Sequence, residues 1–289
     1  MMDLDIVKAI QSISNPPLDW FFTGVTTIGG EVFFILLVAV IYWTIDKRFA
    51  HMFALTFMTS ALFNTLVKGV FQRPRPYTEP GVRVPYESLN MTSGYSFPSG
   101  HSQGAGVIGM TTLKASKRRY RKPLVAAGVF VMVAVPLSRI YLGQHYLTDV
   151  LAGLVVGVAI ALVVFKVVDL MGDNEHLWTL AMVPAAVVVF LVSQSHDVAV
   201  ATGAFTGFAL GYYGEKRHVG FDVRATLGVQ TLKIVIGLLG VLLLKEGFKL
   251  LYEDSAFMDF LRYLLIGGWV AFGAPLVFGH VFRRHQKTV

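Results

Sequence analysis

The chain of 289 residues carries only 15% Asp, Glu, Lys and Arg, against about 25% in soluble domains. With a mean hydropathy of +0.60, this excludes a water-soluble interior wrapped in a polar shell and points to a polytopic membrane protein. The absence of cysteine excludes disulfides, thiolate metal sites and a cysteine nucleophile. The net charge of +7 calls for a membrane explanation and not a nucleic-acid partner, because no basic block lies in a polar, soluble-looking segment.

In chain order, residues 1–17 read as an N-terminal interfacial segment. Asp3 and Asp5 stand where a cleavable signal would be basic, so none is expected. Nine stretches then approach the roughly 20 apolar residues that a transmembrane helix needs: 20–45, 52–71, 99–113, 123–137, 146–165, 177–192, 198–213, 225–244 and 258–278. The third, rich in Gly, Ser and Thr, belongs inside a bundle and not against lipid. The expectation is an all-α, polytopic transmembrane helical bundle.

Basic residues alternate between the connections, which sets orientation. Lys47 and Arg48, six bases from Lys114 to Lys122, Lys166, then Lys216, Arg217 and Arg224, and finally Arg283, Arg284 and Lys287 fall on one side. These are 15 of the 25 Lys and Arg. That side is read as cytoplasmic, with the N-terminus outside and the C-terminus inside; contact with anionic lipid is a weak addition.

Topology leaves a second set of residues unexplained, all on the opposite face. Lys68 is followed by Arg73, Pro74, Arg75 and Pro76; Phe97-Pro98-Ser99-Gly100-His101 opens the third stretch; Ser138 and Arg139 end the fourth, and His145 and Asp149 begin the fifth. Ser99, Gly100 and His101 fall at a helix N-terminus, where unpaired amides and the dipole favour an anion, and Gly100 leaves room for close approach. Lys68, Arg75 and Arg139 add positive charge, two of them as forked donors suited to phosphate oxygens. His145 and Asp149, four apart, share a helical face, so the carboxylate can orient the imidazole. A base with its orienter beside a cationic cradle suits in-line phosphoryl transfer.

These residues compose three spaced motifs, Lys68-x6-Arg75-Pro76, Pro98-Ser99-Gly100-His101 and Ser138-Arg139-x5-His145-x3-Asp149. The chain thereby resembles the type-2 phosphatidic acid phosphatase superfamily. The resemblance covers residues 68–149 directly and implies a membrane phosphatase core over 18–168, with 169–289 as additional C-terminal transmembrane helices. It implies His145 as a nucleophile forming a phosphohistidine, Asp149 as its orienter and His101 as the acid protonating the leaving oxygen. Lys68, Arg75, Ser99, Gly100 and Arg139 are implied to hold the phosphate, with no metal and no cofactor. Arg73-Pro74 duplicates Arg75-Pro76 but lacks the spacing from Lys68, and reads as a flanking or lipid-phosphate contact.

The expected function is an integral membrane lipid-phosphate phosphatase of the plasma membrane, with its active site on the extracytoplasmic side. Candidate substrates are phosphatidic acid, phosphatidylglycerol phosphate, sphingoid phosphates and isoprenyl diphosphates. A phosphoryl- or phospholipid-transferase and a lipid-phosphate transporter are the competing classes. Membrane lipids are the expected surroundings, and the C-terminal spans could form a homodimer face, complete a lipid-access groove or buttress the core. Elsewhere, the adjacent His196 and Asp197 read as loop solvation. His51, His176, His218, His280 and His285 read as interfacial residues. Glu31 is an outer-interface residue or a contact to the site, Lys233 snorkels or pairs within the bundle, and the outer loop 77–96 is an ordered cap or a headgroup selector.

Overall fold

The computed structural model describes residues 2–85, 94–115, 121–193, 195–251 and 255–282. The expected basic residues at 117–119, 283, 284 and 287, together with His285, Tyr86 and Glu87, lie outside them. Every regular element among the described residues is helical. The helices are α1 (Met2–Gln11), α2 (Pro16–Thr27), α3 (Glu31–Thr44), α4 (Lys47–Phe71), α5 (Gly100–Ala115), α6 (Arg121–Tyr141), α7 (Leu147–Met171), α8 (Glu175–Ala181), α9 (Val183–Val192), α10 (His196–Gly214), α11 (Leu227–Leu251), α12 (Ala256–Gly268) and α13 (Ala274–Val281).

Five helical runs are long and apolar enough to cross a membrane: Lys47–Thr78, Arg121–Tyr141, Leu147–Val192, Leu227–Leu250 and Ala256–Val281. The bent pair α2 and α3 raises the number to six. The expectation of nine differs from this at three places. Helix α5 is only 16 residues long and is weakly apolar, α10 in the stretch 198–213 is not among the runs, and the stretches 146–165 and 177–192 fall in one 46-residue run from Leu147, which breaks after Met171 into α7, α8 and α9. Large apolar side chains point outward along these runs, among them Val129, Phe130 and Val133 of α6 and Val155, Leu162 and Val163 of α7. An exposed apolar face of this kind suits hydrocarbon.

The chain divides into two compact units, Met1–Phe34 with Thr59–Val164, and Ile35–Met58 with Phe165–Val289. In the first, α5 is enclosed. None of its residues is exposed, and it meets α6 and α7 through glycines. A Cβ on Gly157 of α7 would lie 2.2 Å from the Gln103 carbonyl oxygen, and one on Gly153 would lie 2.4 Å from that of Ser99. Only the missing side chain permits this backbone-to-backbone approach. Helix α1 lies on the same unit through a small apolar seam, with Val7, Leu4 and Ile10 against Ile140, Tyr146, Leu147 and Val150.

In the second unit, α10 and α12 come into backbone contact at Gly203, Gly207 and Gly267. This unit holds a buried polar network. Tyr42 and Lys47 bond Glu215, while Tyr212 and Lys216 bond Glu175. His51 is fully buried, bonded to Thr179 at 2.8 Å and stacked on Tyr212. It is therefore not the interfacial residue its position in the sequence suggested, because the network supplies it with polar partners inside the helix packing. Lys233 pairs within the unit, donating to the Asp222 and Val223 carbonyls. His196 bonds Asp259 at 2.6 Å, not its neighbour Asp197, and Asp259 also pairs with Arg262. What reads as loop solvation is thus a hydrogen-bonded tie between α10 and α12.

Candidate active site

All the residues of the three motifs belong to the first unit. Helix α6 ends two residues past Arg139, and the chain turns sharply through Gly143, whose φ of +66° is left-handed. A Cβ there would also strike the Arg83 carbonyl at 2.8 Å, so the turn demands glycine twice over. Gln144 and His145 both donate their amides back to the Arg139 carbonyl, at 3.0 and 3.3 Å. This clamps His145 next to the arginine that precedes it by six positions.

Asp149 lies in the first turn of α7, where its Oδ2 accepts from the Tyr146 amide at 2.9 Å. That is the reciprocal half of a capping box, so the helix start itself fixes the carboxylate. The backbone carbonyl of Asp149 accepts from the Ser99 amide at 3.0 Å, which ties the second motif to the third. Helix α5 then begins, capped by Ser99, whose Oγ accepts from the Ser102 amide and hydroxyl. The loop before α5 is anchored to α4 by Asn64, which donates to the Pro98 carbonyl and to Gln103.

His145 is 1% exposed and Asp149 is fully buried. Arg75 Nη1 donates to His145 Nε2 at 3.0 Å and to the Gln144 carbonyl at 3.1 Å. An arginine has no acceptor, so Nε2 carries the lone pair and the ring proton of the neutral imidazole lies on Nδ1. Nδ1 faces Ser96 Oγ at 3.3 Å and Asp149 Oδ2 at 3.6 Å, and Ser96 donates to the same Oδ2 at 2.5 Å. The orientation expected from Asp149 therefore runs largely through Ser96, which nothing in the motif spacing singled out. Burial, reinforced by the charges of Arg75, Arg139 and Lys68, holds the His145 imidazolium well below the ordinary histidine range.

Arg139 is 1% exposed. Its Nη1 donates to Thr26 Oγ1 at 2.9 Å, while its buried Nε has no hydrogen-bond partner among the described residues. A buried cation with a spare donor is suited to receive an anion. His101 stands one residue inside α5, and the turn after α2 lies against it. A Cβ on Gly29 would reach the His101 carbonyl at 2.7 Å, and one on Gly30 would lie 3.8 Å from its Nε2. Lys68 ends α4, half-buried. Gly100 faces Asn64, 3.3 Å from where a Cβ would be, so its lack of a side chain serves packing on that side. Arg73 bonds Asp149 Oδ1 at 2.7 Å and Asp3 Oδ2 at 2.9 Å. The reading of Arg73 as a flanking or lipid-phosphate contact does not fit this pairing; the duplicated Arg-Pro was the available signal, but its partner in residue 3 was not legible.

Comparison with known proteins agrees with this architecture. The sequence model of the PAP2 superfamily matches residues 49–172, and that of the PAP2 superfamily phosphatase, transmembrane extension, matches residues 199–285. The chain is 25% identical over 175 residues to sphingosine-1-phosphate phosphatase 1 of Rattus norvegicus, covering 60% of this chain and 40% of that protein; it thus spans about two fifths of that relative's length. It is 32% identical over 167 residues to phosphatidylglycerophosphatase B of Bacillus subtilis, covering 54% of this chain and 77% of that one. The crystal structure of a transmembrane PAP2 type phosphatidylglycerolphosphate phosphatase from Bacillus subtilis superposes with a TM-score of 0.50 at 28% identity, over 60% of this chain and 87% of the other. The chain is an integral, multi-pass membrane protein and belongs to the PAP2 superfamily.

Proposed function

We propose that the protein is a lipid-phosphate phosphatase that works through a phosphohistidine on His145. The observation that carries this reading is the His145 ring, buried and neutral, with its Nε2 lone pair beside Arg75 and its Nδ1 backed by Ser96 and Asp149. In the proposed reaction Nε2 attacks phosphorus in line with the leaving oxygen. The P–O bond breaks as the P–N bond forms, and His101 gives its proton to the departing alkoxide or phosphate. Water then attacks the phosphohistidine with His101 as the base, the P–N bond breaks, and inorganic phosphate leaves. Lys68, Arg75, the Arg139 guanidinium, the Ser99 hydroxyl and the Gly100 amide at the start of α5 neutralise the equatorial oxygens, the term that dominates such reactions.

The substrate class follows from the membrane setting: a phosphate or diphosphate headgroup whose tail stays in the bilayer. The named activities of the relatives favour a sphingoid phosphate or phosphatidylglycerol phosphate. The nine-span arrangement, with the N-terminus outside, the site at the outer face of the plasma membrane and 169–289 as an added helical region, belongs to the same proposal. Its support is the sidedness of the loop bases. The deciding experiment is phosphate release by the purified protein from phosphatidic acid, sphingosine 1-phosphate, phosphatidylglycerol phosphate and farnesyl diphosphate. Release from none of them would overturn the reading.

Two further outcomes are expected. The nucleophile must be uncharged, and the depressed His145 stays uncharged as pH falls below the usual 6.5. The acid limb of kcat/KM therefore lies below 6.5, and a limb at or above that value would mean the imidazole is not held neutral. Because arginine and lysine supply the charge around His145, activity is expected to survive EDTA and to be inhibited by orthovanadate, a mimic of the five-coordinate phosphoryl group. Loss of turnover in EDTA with recovery on added magnesium would refute the assigned roles.

A further inference from the structure

Arg73 gives three side-chain hydrogen bonds to groups of the protein. Its Nη1 donates to Asp149 Oδ1 and to Thr148 Oγ1, both at 2.7 Å, and its Nη2 donates to Asp3 Oδ2 at 2.9 Å. The guanidinium lies over the Tyr146 ring, 4.0 Å from the centroid. Thr148 donates its hydroxyl and its amide to the two Asp3 oxygens. The backbone of Arg73 contributes as well, its carbonyl accepting from the Ser96 amide at 2.8 Å. One residue thus holds both groups that back His145 Nδ1, Asp149 by its side chain and Ser96 by its main chain.

Asp149 is fully buried. Its Oδ2 is occupied by Ser96 and the Tyr146 amide, and Arg73 neutralises Oδ1. A buried carboxylate deprived of its cation is costly and must reorient or draw in another donor. Asp3 plays the corresponding part for Arg73. Burial works against ionisation of Asp3, but the hydrogen bonds from Thr148 and Arg73 more than offset it and hold the carboxyl below its ordinary value. Helix α1 is fixed at its other end by Gln11, which bonds the Arg83 and Tyr141 carbonyls and the Arg83 amide. It is seated between by the Val7 seam.

We propose that Arg73 is a positioning residue for Asp149 and Ser96, and that Asp3 positions Arg73, so that the N-terminal helix α1 is a working part of the catalytic apparatus. The inference rests on the assignment of His145 as nucleophile. Three of its N–H groups are given to two carboxylates and a hydroxyl of the protein itself.

The test uses the full chain in dodecyl maltoside micelles, with phosphate release measured on whichever of phosphatidic acid, sphingosine 1-phosphate and farnesyl diphosphate the wild type turns over fastest. Arg73→Ala is expected to lower kcat about 100-fold while KM stays within about threefold, the pattern of a displaced reacting group and not of lost binding. Arg73→Lys is expected to recover about tenfold of that loss, because an ammonium keeps one carboxylate contact but cannot span both. Asp3→Asn alone costs about tenfold and costs nothing further in the Arg73→Ala background, since it acts through that residue. A raised KM with unchanged kcat, an unchanged Arg73→Ala enzyme, or additive losses from Asp3 and Arg73 would each overturn the inference. If Arg73→Ala does not fold, Arg73→Lys and Asp3→Asn decide by the same split. His145→Ala run alongside separates the two levels: an undiminished rate in it sinks the nucleophile assignment, whereas a crippled His145→Ala beside an unaffected Arg73→Ala sinks only the positioning role. A wild type inactive on all three lipids overturns both.

Discussion

His145→Ala is expected to lose at least about 10,000-fold in kcat, the scale seen when a nucleophile that anchors a catalytic constellation is removed. The reason is local. Among the described residues no other imidazole takes its position between the Arg75 fork and the pair Ser96 and Asp149, and His101 is assigned the opposite task of giving up a proton. The alanine protein should elute and melt like the wild type, because the hydrogen bonds that build the turn from Arg139 to His145 use the main chain. Acid-labile phosphate trapped on the wild-type chain during turnover, and absent from His145→Ala, would identify the bond. Hydrolysis at an undiminished rate in that variant would dismiss the mechanism.

Gly157→Val is expected to have the largest effect on stability. The added Cβ would fall 2.2 Å from the Gln103 carbonyl oxygen and 3.0 Å from its carbon, backbone atoms that no rotamer change can move. Forcing α5 and α7 apart costs on the order of 3 kcal/mol or more, since overpacking alone costs about 1 to 3 and here lost contacts along the whole interface are added. The measured result would be little monodisperse protein from detergent. The milder Gly157→Ala should still lower the melting temperature and kcat together, because the shift is passed to the start of α5 at Ser99 and His101. Gly228 in α11 supplies the contrast. It has no atom within 4 Å of a built Cβ, so Gly228→Ala should leave melting unchanged or raise it slightly. Equal effects at the two glycines would show that the α5 to α7 contact is not what holds the unit together.

The residues of the proposed site were legible in the sequence and much of what surrounds them was not, for a physical reason visible in particular residues. His145 and Asp149, Arg75 after Lys68, and the Ser99 cap all lie in segments whose spacing is set by a helix start or a turn, so their geometry is local. Ser96, Arg73 with Asp3, and Arg139 with Thr26 depend on contacts across 53, 70 and 113 positions, which no periodicity encodes. The same holds for His51 and His196, whose partners Thr179 and Asp259 come from remote helices. Hydropathy reads nine stretches because it counts apolar residues without seeing that α5 is covered by protein, or that 146–165 and 177–192 fall in one run from Leu147.

The enclosure of α5 also bears on how the chain is made. Its Gly, Ser, Gln and Thr side chains find no exposed position in the finished fold, yet α5 leaves the ribosome before α6 and α7, whose Gly128, Gly153 and Gly157 receive it. A helix this polar has little tendency to partition into lipid alone. Its stable placement in the bilayer therefore depends on packing against α6 and α7, which follow it in the chain. The helix that carries His101 is thus the one whose insertion is conditional on the helices that follow.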